Sequence, residues 1–220
     1  MDFMNIELSG ATRREHDLLG EMNIPDEYYF GIQTMRAVDN FHISRVRLSF
    51  FPELIRALAE VKEGAARANR DLKLLDPQIA DAIVRACEEL REGKFREQFV
   101  VDMVQGGAGT STNMNANEVI ANRALELLGH RKGEYQYCHP NNHVNLSQST
   151  NDAYPTAVRI ALVRSIQKLV AALRELIASF HAKGEEFAHI IKMGRTQLQD
   201  AVPMTLGQEF EAYAANLTEE

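Results

Sequence analysis

Three short stretches of this chain concentrate side chains that donate hydrogen bonds. Residues 106–115 run from Gly106 and Gly107 through Gly109 to the hydroxyls of Thr110, Ser111 and Thr112 and the amides of Asn113 and Asn115, ahead of a helical pattern. Ser149, Thr150 and Asn151 repeat that grammar at the mouth of a second, much longer helical pattern. The third stretch spans residues 193–209, where Gly194 permits a turn and Arg195, Thr196, Gln197 and Gln199 present donors over a short span. Free N–H groups and the dipole at a helix start favour an anion, the dipole alone by roughly 0.3–1 kcal/mol. One Ser or Thr satisfies a helix start; three consecutive donors at 149–151 exceed that need. Neutral donors without a metal set suit a carboxylate substrate and an acid/base reaction beside it.

Other chemistries find little support. The glycine-rich turn lacks the lysine of a phosphate-binding loop and does not fit G-x-G-x-x-G. His139 and His143 lie four apart, but in a Pro- and Asn-rich loop without a Cys or acid spaced to complete a zinc site. No Ser-His-Asp signature occurs. No metal and no cofactor is expected.

Composition narrows the partners. The 220 residues are 45% hydrophobic and 25% charged with a formal net charge of -7, ordinary for a soluble globular protein. No Lys/Arg run rises above background, which argues against nucleic acid and anionic membrane. No apolar run approaches the roughly 20 residues of a membrane span. The charged N-terminus does not read as a signal peptide, and Cys87 and Cys138 read as free thiols of a reducing, cytoplasmic compartment.

The elements that must position the donors are helical. Residues 1–26 read as irregular, with at most a short hairpin. Asp26 to Phe41 reads as a first helix with Asp26 as its N-cap. Pro52 opens a second, to about Asn69, with Leu54, Ile55, Leu58, Val61 and Ala65 as its apolar stripe. Asp76-Pro77 starts a third, which buries Ile79, Ile83, Ala86, Cys87 and Leu90 and ends at Gly93. A fourth spans about Asn115 to Leu128, and residues 130–146 read as loop. The last pattern runs to about Phe187, roughly 35 residues or about 50 Å. Leu162, Ile166, Leu169, Leu173, Leu176 and Phe180 form a heptad seam along it, widened by Val163, Val170 and Ile177. Such a face needs several partner helices, so a long bundle completed by other subunits is expected. A straight helix of that length keeps the second and third donor clusters apart within one chain, which points to sites built between protomers. The chain stops at Glu220 inside a helical pattern with no C-cap glycine, so a longer protein is expected.

Five motifs carry a family resemblance: Gly107 to Asn115, Asn117 to Asn122, Gly133 to Tyr137, Gln148 to Thr156, and Gly194 to Glu209. Together, from about Leu19 onward, they identify the chain as resembling the aspartase/fumarase superfamily. Thr150, Gln197 and the run Glu134-Tyr-Gln-Tyr137 resemble its aspartase branch, because fumarases carry Ser-Ser-Asn at the second motif and usually His at position 197. Fumarase is the runner-up.

The resemblance implies a mainly all-α fold, with an N-terminal helical lyase domain over 1–146 and the first part of a central long-helix bundle over 147–220. It implies reversible deamination of L-aspartate to fumarate and ammonia by a homotetramer. Thr110, Ser149 and Thr150 would hold the β-carboxylate, Asn151 with Thr150 would lie near the amino group, and Thr196 and Gln197 of another subunit would hold the α-carboxylate side. The family's base is a serine on a Gly-Ser-Ser loop expected beyond residue 220, so the 1–220 segment alone is expected to be inactive. Fumarases carry an Asp after His-Pro-Asn in a second carboxylate site; Asn142 stands there here, and no second site is assigned.

Overall fold

The computed structural model describes residues 8–219. As the patterning implies, helices dominate, and they fall into two compact units, residues 1–162 and 163–220.

The first unit opens with an antiparallel hairpin of β1 (Thr12–Asp17) and β2 (Gly20–Pro25), where an irregular segment with at most a short hairpin was expected. The earlier part of that segment, residues 1–7, lies outside the described residues. The strands hide in the sequence because the buried member of β1 is Glu15, so no apolar alternation marks them. Their turn is held by Asp17, which accepts from the Leu19 N–H at 2.9 Å and takes a two-pronged contact from Arg36 at 2.7 and 2.8 Å.

Helix α1 covers Ile32–Asn40, later than expected, and Asp26 does not cap it. Gly31 is its N-cap, and the capping carboxylates come from elsewhere. Glu118 accepts from the N–H groups of Gly31, Gln33 and Thr34 at 2.8–3.0 Å, and Glu15 accepts from that of Ile32 at 2.9 Å. The approach is so close that a Cβ on Gly31 would stand 2.5 Å from Glu15 Oε2.

Helices α2 (Pro52–Asp71) and α3 (Pro77–Arg91) pack as a pair, and both feed the main core. Asp76 caps α3 as expected, accepting from the Gln78 and Ile79 N–H groups at 2.8 and 3.2 Å. The buried face of α2 departs from the expected stripe. It turns from Leu54, Ile55 and Leu58 onto Lys62, Ala66 and Asn69, while Val61 and Ala65 are only partly buried.

Helix α4 (Thr110–Leu127) packs against α1, α2 and α3 and is buried on nearly every side. Its interior asparagines join loops to the core. Asn115 donates to the Gln98 carbonyl and accepts from the Val100 N–H, and Asn122 donates to the Tyr29 carbonyl and accepts from the Gly133 N–H. Residues 140–144, expected as plain loop, form a single π-helical turn against α4.

Helix α5 (Thr150–Glu186) begins in the first unit and continues into the second, matching the expected long helix. In the second unit β3 (Ile191–Thr196) and β4 (Gln199–Thr205) form a hairpin that was not expected, and α6 (Leu206–Glu219) follows. The chain turns at Gln197–Leu198; Gly194 instead lies where the β3–β4 register shifts. Phe180, Phe187, Phe210 and Tyr213 cluster with ring centroids 5.4–6.1 Å apart and tie α6 to the end of α5.

Candidate functional site

Helix α4 starts five residues earlier than its apolar pattern indicated, so the first donor cluster lies within its opening turns. Gly109, at φ 83, is the N-cap and offers no side chain. The missing cap is replaced by Gln105. Its Oε1 accepts from the Thr112 N–H at 2.9 Å and its Nε2 donates to Thr112 Oγ1 at 2.9 Å. Thr112 is thereby consumed by structure, whereas Thr110 is exposed on the first turn.

At the start of α5, Ser149 acts as the cap: its Oγ accepts from the Asn151 N–H at 3.2 Å, and its carbonyl accepts from the Ala153 N–H at 3.0 Å. Ser149 and Asn151 are exposed and Thr150 is half-buried. Pro155 has no N–H to give to the Asn151 carbonyl one turn back, so that acceptor is left outside the helical ladder. Asp152, the acid of this first turn, is exposed to solvent.

The two helix starts touch. Asn113 Nδ2 on α4 donates to Thr150 Oγ1 on α5 at 3.2 Å. The Tyr154 ring packs against Gly109 so closely that a Cβ there would overlap ring carbons Cγ and Cδ1. The structure therefore sets the helix start that carries Thr110 against the one that carries Ser149, Thr150 and Asn151. That arrangement suits a carboxylate, since both dipoles present their positive ends to it.

Thr196 and Gln197 lie in the second unit. Thr196 ends β3 and Gln197 opens the two-residue turn; both are exposed, and Leu198 beside them is fully so. Gln197 and Leu198 have φ of 49° and 64°. Two consecutive left-handed residues define the tight turn that matches strand twist and normally takes Asn-Gly. Building it from Gln and Leu costs about 1–2 kcal/mol per residue. Arg195 stands 3.7 Å from Asp200 in a solvent-exposed pair that stabilises little.

The sequence reading missed what lies beneath Thr150. Lys62 is fully buried, and its ammonium donates to Asn145 Oδ1 at 2.9 Å and Gln148 Oε1 at 3.0 Å. Among the described residues no carboxylate forms an ion pair with it. Burial holds its pKa down at about 7. Asn145 Oδ1 also accepts from Asn113 Nδ2 at 3.0 Å and Asn117 Nδ2 at 3.3 Å. A signal was present: Ile55, Ala59, Lys62, Ala66 and Asn69 follow a 4, 3, 4, 3 spacing, which puts a lysine in the middle of a buried stripe. The histidine pair serves the backbone instead. His139 Nδ1 accepts from the Asn141 and Asn142 N–H groups, and His143 Nδ1 accepts from the His139 N–H at 2.8 Å.

A family model described as lyase matches residues 20–220. The aspartate ammonia-lyase of Pseudomonas canavaninivorans is 62% identical over 212 residues, covering 96% of this chain and 45% of that protein. That of Escherichia coli strain K12 is 55% identical over 214 residues, covering 97% and 45%. Among solved structures, the fumarate lyase:delta crystallin from Brucella melitensis in native form superposes with a TM-score of 0.87 at 63% identity, covering 95% of this chain and 49% of that one. Recombinant class II fumarase from Schistosoma mansoni gives 0.83 at 40% identity, covering 95% and 44%. The chain spans less than half the length of these relatives.

Proposed function

Because the chain belongs to the lyase family, we propose that the complete protein is an aspartate ammonia-lyase, releasing ammonia from L-aspartate reversibly to give fumarate. The observation that carries this reading is the pair of adjoining helix starts bearing Thr110, Ser149, Thr150 and Asn151. It is supported by 62% identity to a relative named for that activity, against 40% to a fumarase.

The difficult step is removing a proton from the carbon beside the β-carboxylate, which loads negative charge onto that carboxylate. Donors fixed in advance stabilise the charge as it develops, each by about 3–4 kcal/mol. Thr110, Ser149 and Thr150 hold the β-carboxylate, and the dipoles of α4 and α5 add to them. Asn151 with Thr150 faces the leaving amino group. Thr196 and Gln197, carried on the strained turn of the second unit, reach the α-carboxylate side of a site in a neighbouring subunit of a cytoplasmic homotetramer. The proton acceptor is a serine of the family's Gly-Ser-Ser loop, outside residues 1–220.

The test gives the complete protein L-aspartate and, separately, L-malate, and follows fumarate by its ultraviolet absorbance. Turnover of aspartate is expected. Turnover of malate alone assigns the protein to the fumarases, the second reading, which the structural likeness to the Schistosoma mansoni enzyme favours. Purified 1–220 is expected to turn over neither.

A further inference from the structure

The cost of burying Lys62 has no explanation in the fold. Its ammonium lies inside the first unit without a carboxylate partner among the described residues, although replacing a buried charge by an apolar side chain is commonly neutral or stabilising. Its two acceptors immediately precede the second donor cluster. Gln148 is adjacent to Ser149, and its Nε2 donates to the Val144 carbonyl at 2.8 Å, fixing the entry into α5. Asn145 donates to the Gln148 carbonyl at 3.0 Å and accepts from Asn113, whose same Nδ2 reaches Thr150 Oγ1. A continuous line of hydrogen bonds therefore runs from Lys62 through Asn145 and Asn113 to the Thr150 hydroxyl.

We propose that Lys62 is a positioning residue for the lyase reaction, holding Asn145 and Gln148 so that Asn113 and the start of α5 aim Ser149 and Thr150 at the substrate carboxylate. The inference rests on the functional reading above. Because Lys62 Nζ satisfies the Asn145 and Gln148 oxygens, the side chains on the line keep single orientations. Asn113 Nδ2 then spends one hydrogen bond on Thr150 Oγ1, leaving the threonine's own O–H free to donate outward. Removing the amino group frees both amides to reorient, and Thr150 loses its fixed aim. A displacement on the scale of 1 Å at such a donor costs on the order of 10²-fold in rate.

The experiment uses the complete protein and L-aspartate, with Lys62→Met, Thr150→Val and the double variant compared with wild type. Lys62→Met is expected to lower kcat/KM on the order of 10²-fold with its melting temperature unchanged or raised. The double variant is expected to lose no more than the worse single, because both act on one donor. Asn113→Asp keeps the side chain's shape, removes its two N–H donors and cuts the line midway. It is expected to lose as much, and it carries the test if Lys62→Met does not fold. Retention of kcat/KM within about twofold in Lys62→Met, or in Asn113→Asp when that variant carries the test, would overturn the proposal, as would independent multiplication of the losses in the cycle. If wild type itself does not turn over aspartate, the functional reading fails; if it does and the variants match it, only this inference fails.

Discussion

Lys62 sets stability and chemistry against each other within one side chain. Burial lowers its pKa from the ordinary lysine value of 10.5 to about 7 in the folded protein. The titratable group facing it is Cys87 on α3, whose thiol burial pushes up, so it stays protonated through this range. Between about pH 7 and 10.5 the unfolded chain binds more protons at this lysine than the folded one, so its contribution to stability rises with pH across that window and is lowest below it. Lys62→Met removes that slope. It is expected to melt higher than wild type near pH 6, with the advantage shrinking by about pH 10, and thermal unfolding at the two values checks the sign. A gain that grows with pH would contradict the burial argument.

At the scale of elements, the contact between Gly109 and Tyr154 registers α4 against α5. Gly109 needs its left-handed backbone, and its missing Cβ is where the ring rests. Gly109→Ala introduces both backbone strain and overlap. It is expected to destabilise by more than about 1 kcal/mol and to raise KM for aspartate, as the start of α5 shifts. Melting temperature and steady-state kinetics measure the two effects. Elements announced by local chemistry were legible beforehand. Pro52 and Asp76-Pro77 mark the starts of α2 and α3, and the apolar periodicity marks the length of α5. Elements whose support comes from far away were not. The first five residues of α4 are capped by Gln105 and a bare glycine, and α1 is capped by Glu118 and Glu15. The β3–β4 hairpin has a turn of Gln and Leu in place of the usual Asn-Gly. The same division runs through the site. The donors Thr110, Ser149 and Thr150 stand out by type and spacing, Lys62 shows only as a lysine within an apolar stripe, and Asn145, which meets it through a tertiary contact, does not show at all.

For the whole molecule, the seam along α5 is the clearest unfinished surface. Leu162, Ile166, Leu169 and Leu176 are 53%, 51%, 58% and 44% exposed, although their heptad spacing is that of a buried face. In the proposed tetramer this face meets helices of other subunits. Ile166→Asp with Leu169→Asp is therefore expected to convert the complete protein to smaller species by light scattering. Activity is expected to fall with assembly, because in the proposed tetramer Thr196 and Gln197 complete a neighbour's site. Dissociation without loss of activity would remove those two residues from the site.

The asparagines of α4 also impose an order on synthesis. Asn115 and Asn122 bond to Gln98, Val100 and Tyr29, which leave the ribosome before them, but Asn122 also needs the Gly133 N–H, and Asn113 and Asn117 need Asn145. Until those later residues emerge, a nascent chain that buried α4 would seal in amides without partners, at about 1–3 kcal/mol each. The apolar residues of α1–α3 are complete long before that point, yet their central helix cannot settle among them until residues 133–145 arrive. The first unit thus closes its interior only once residues 133–145 have emerged, and the segment that completes it is the one leading directly into Ser149 and Thr150.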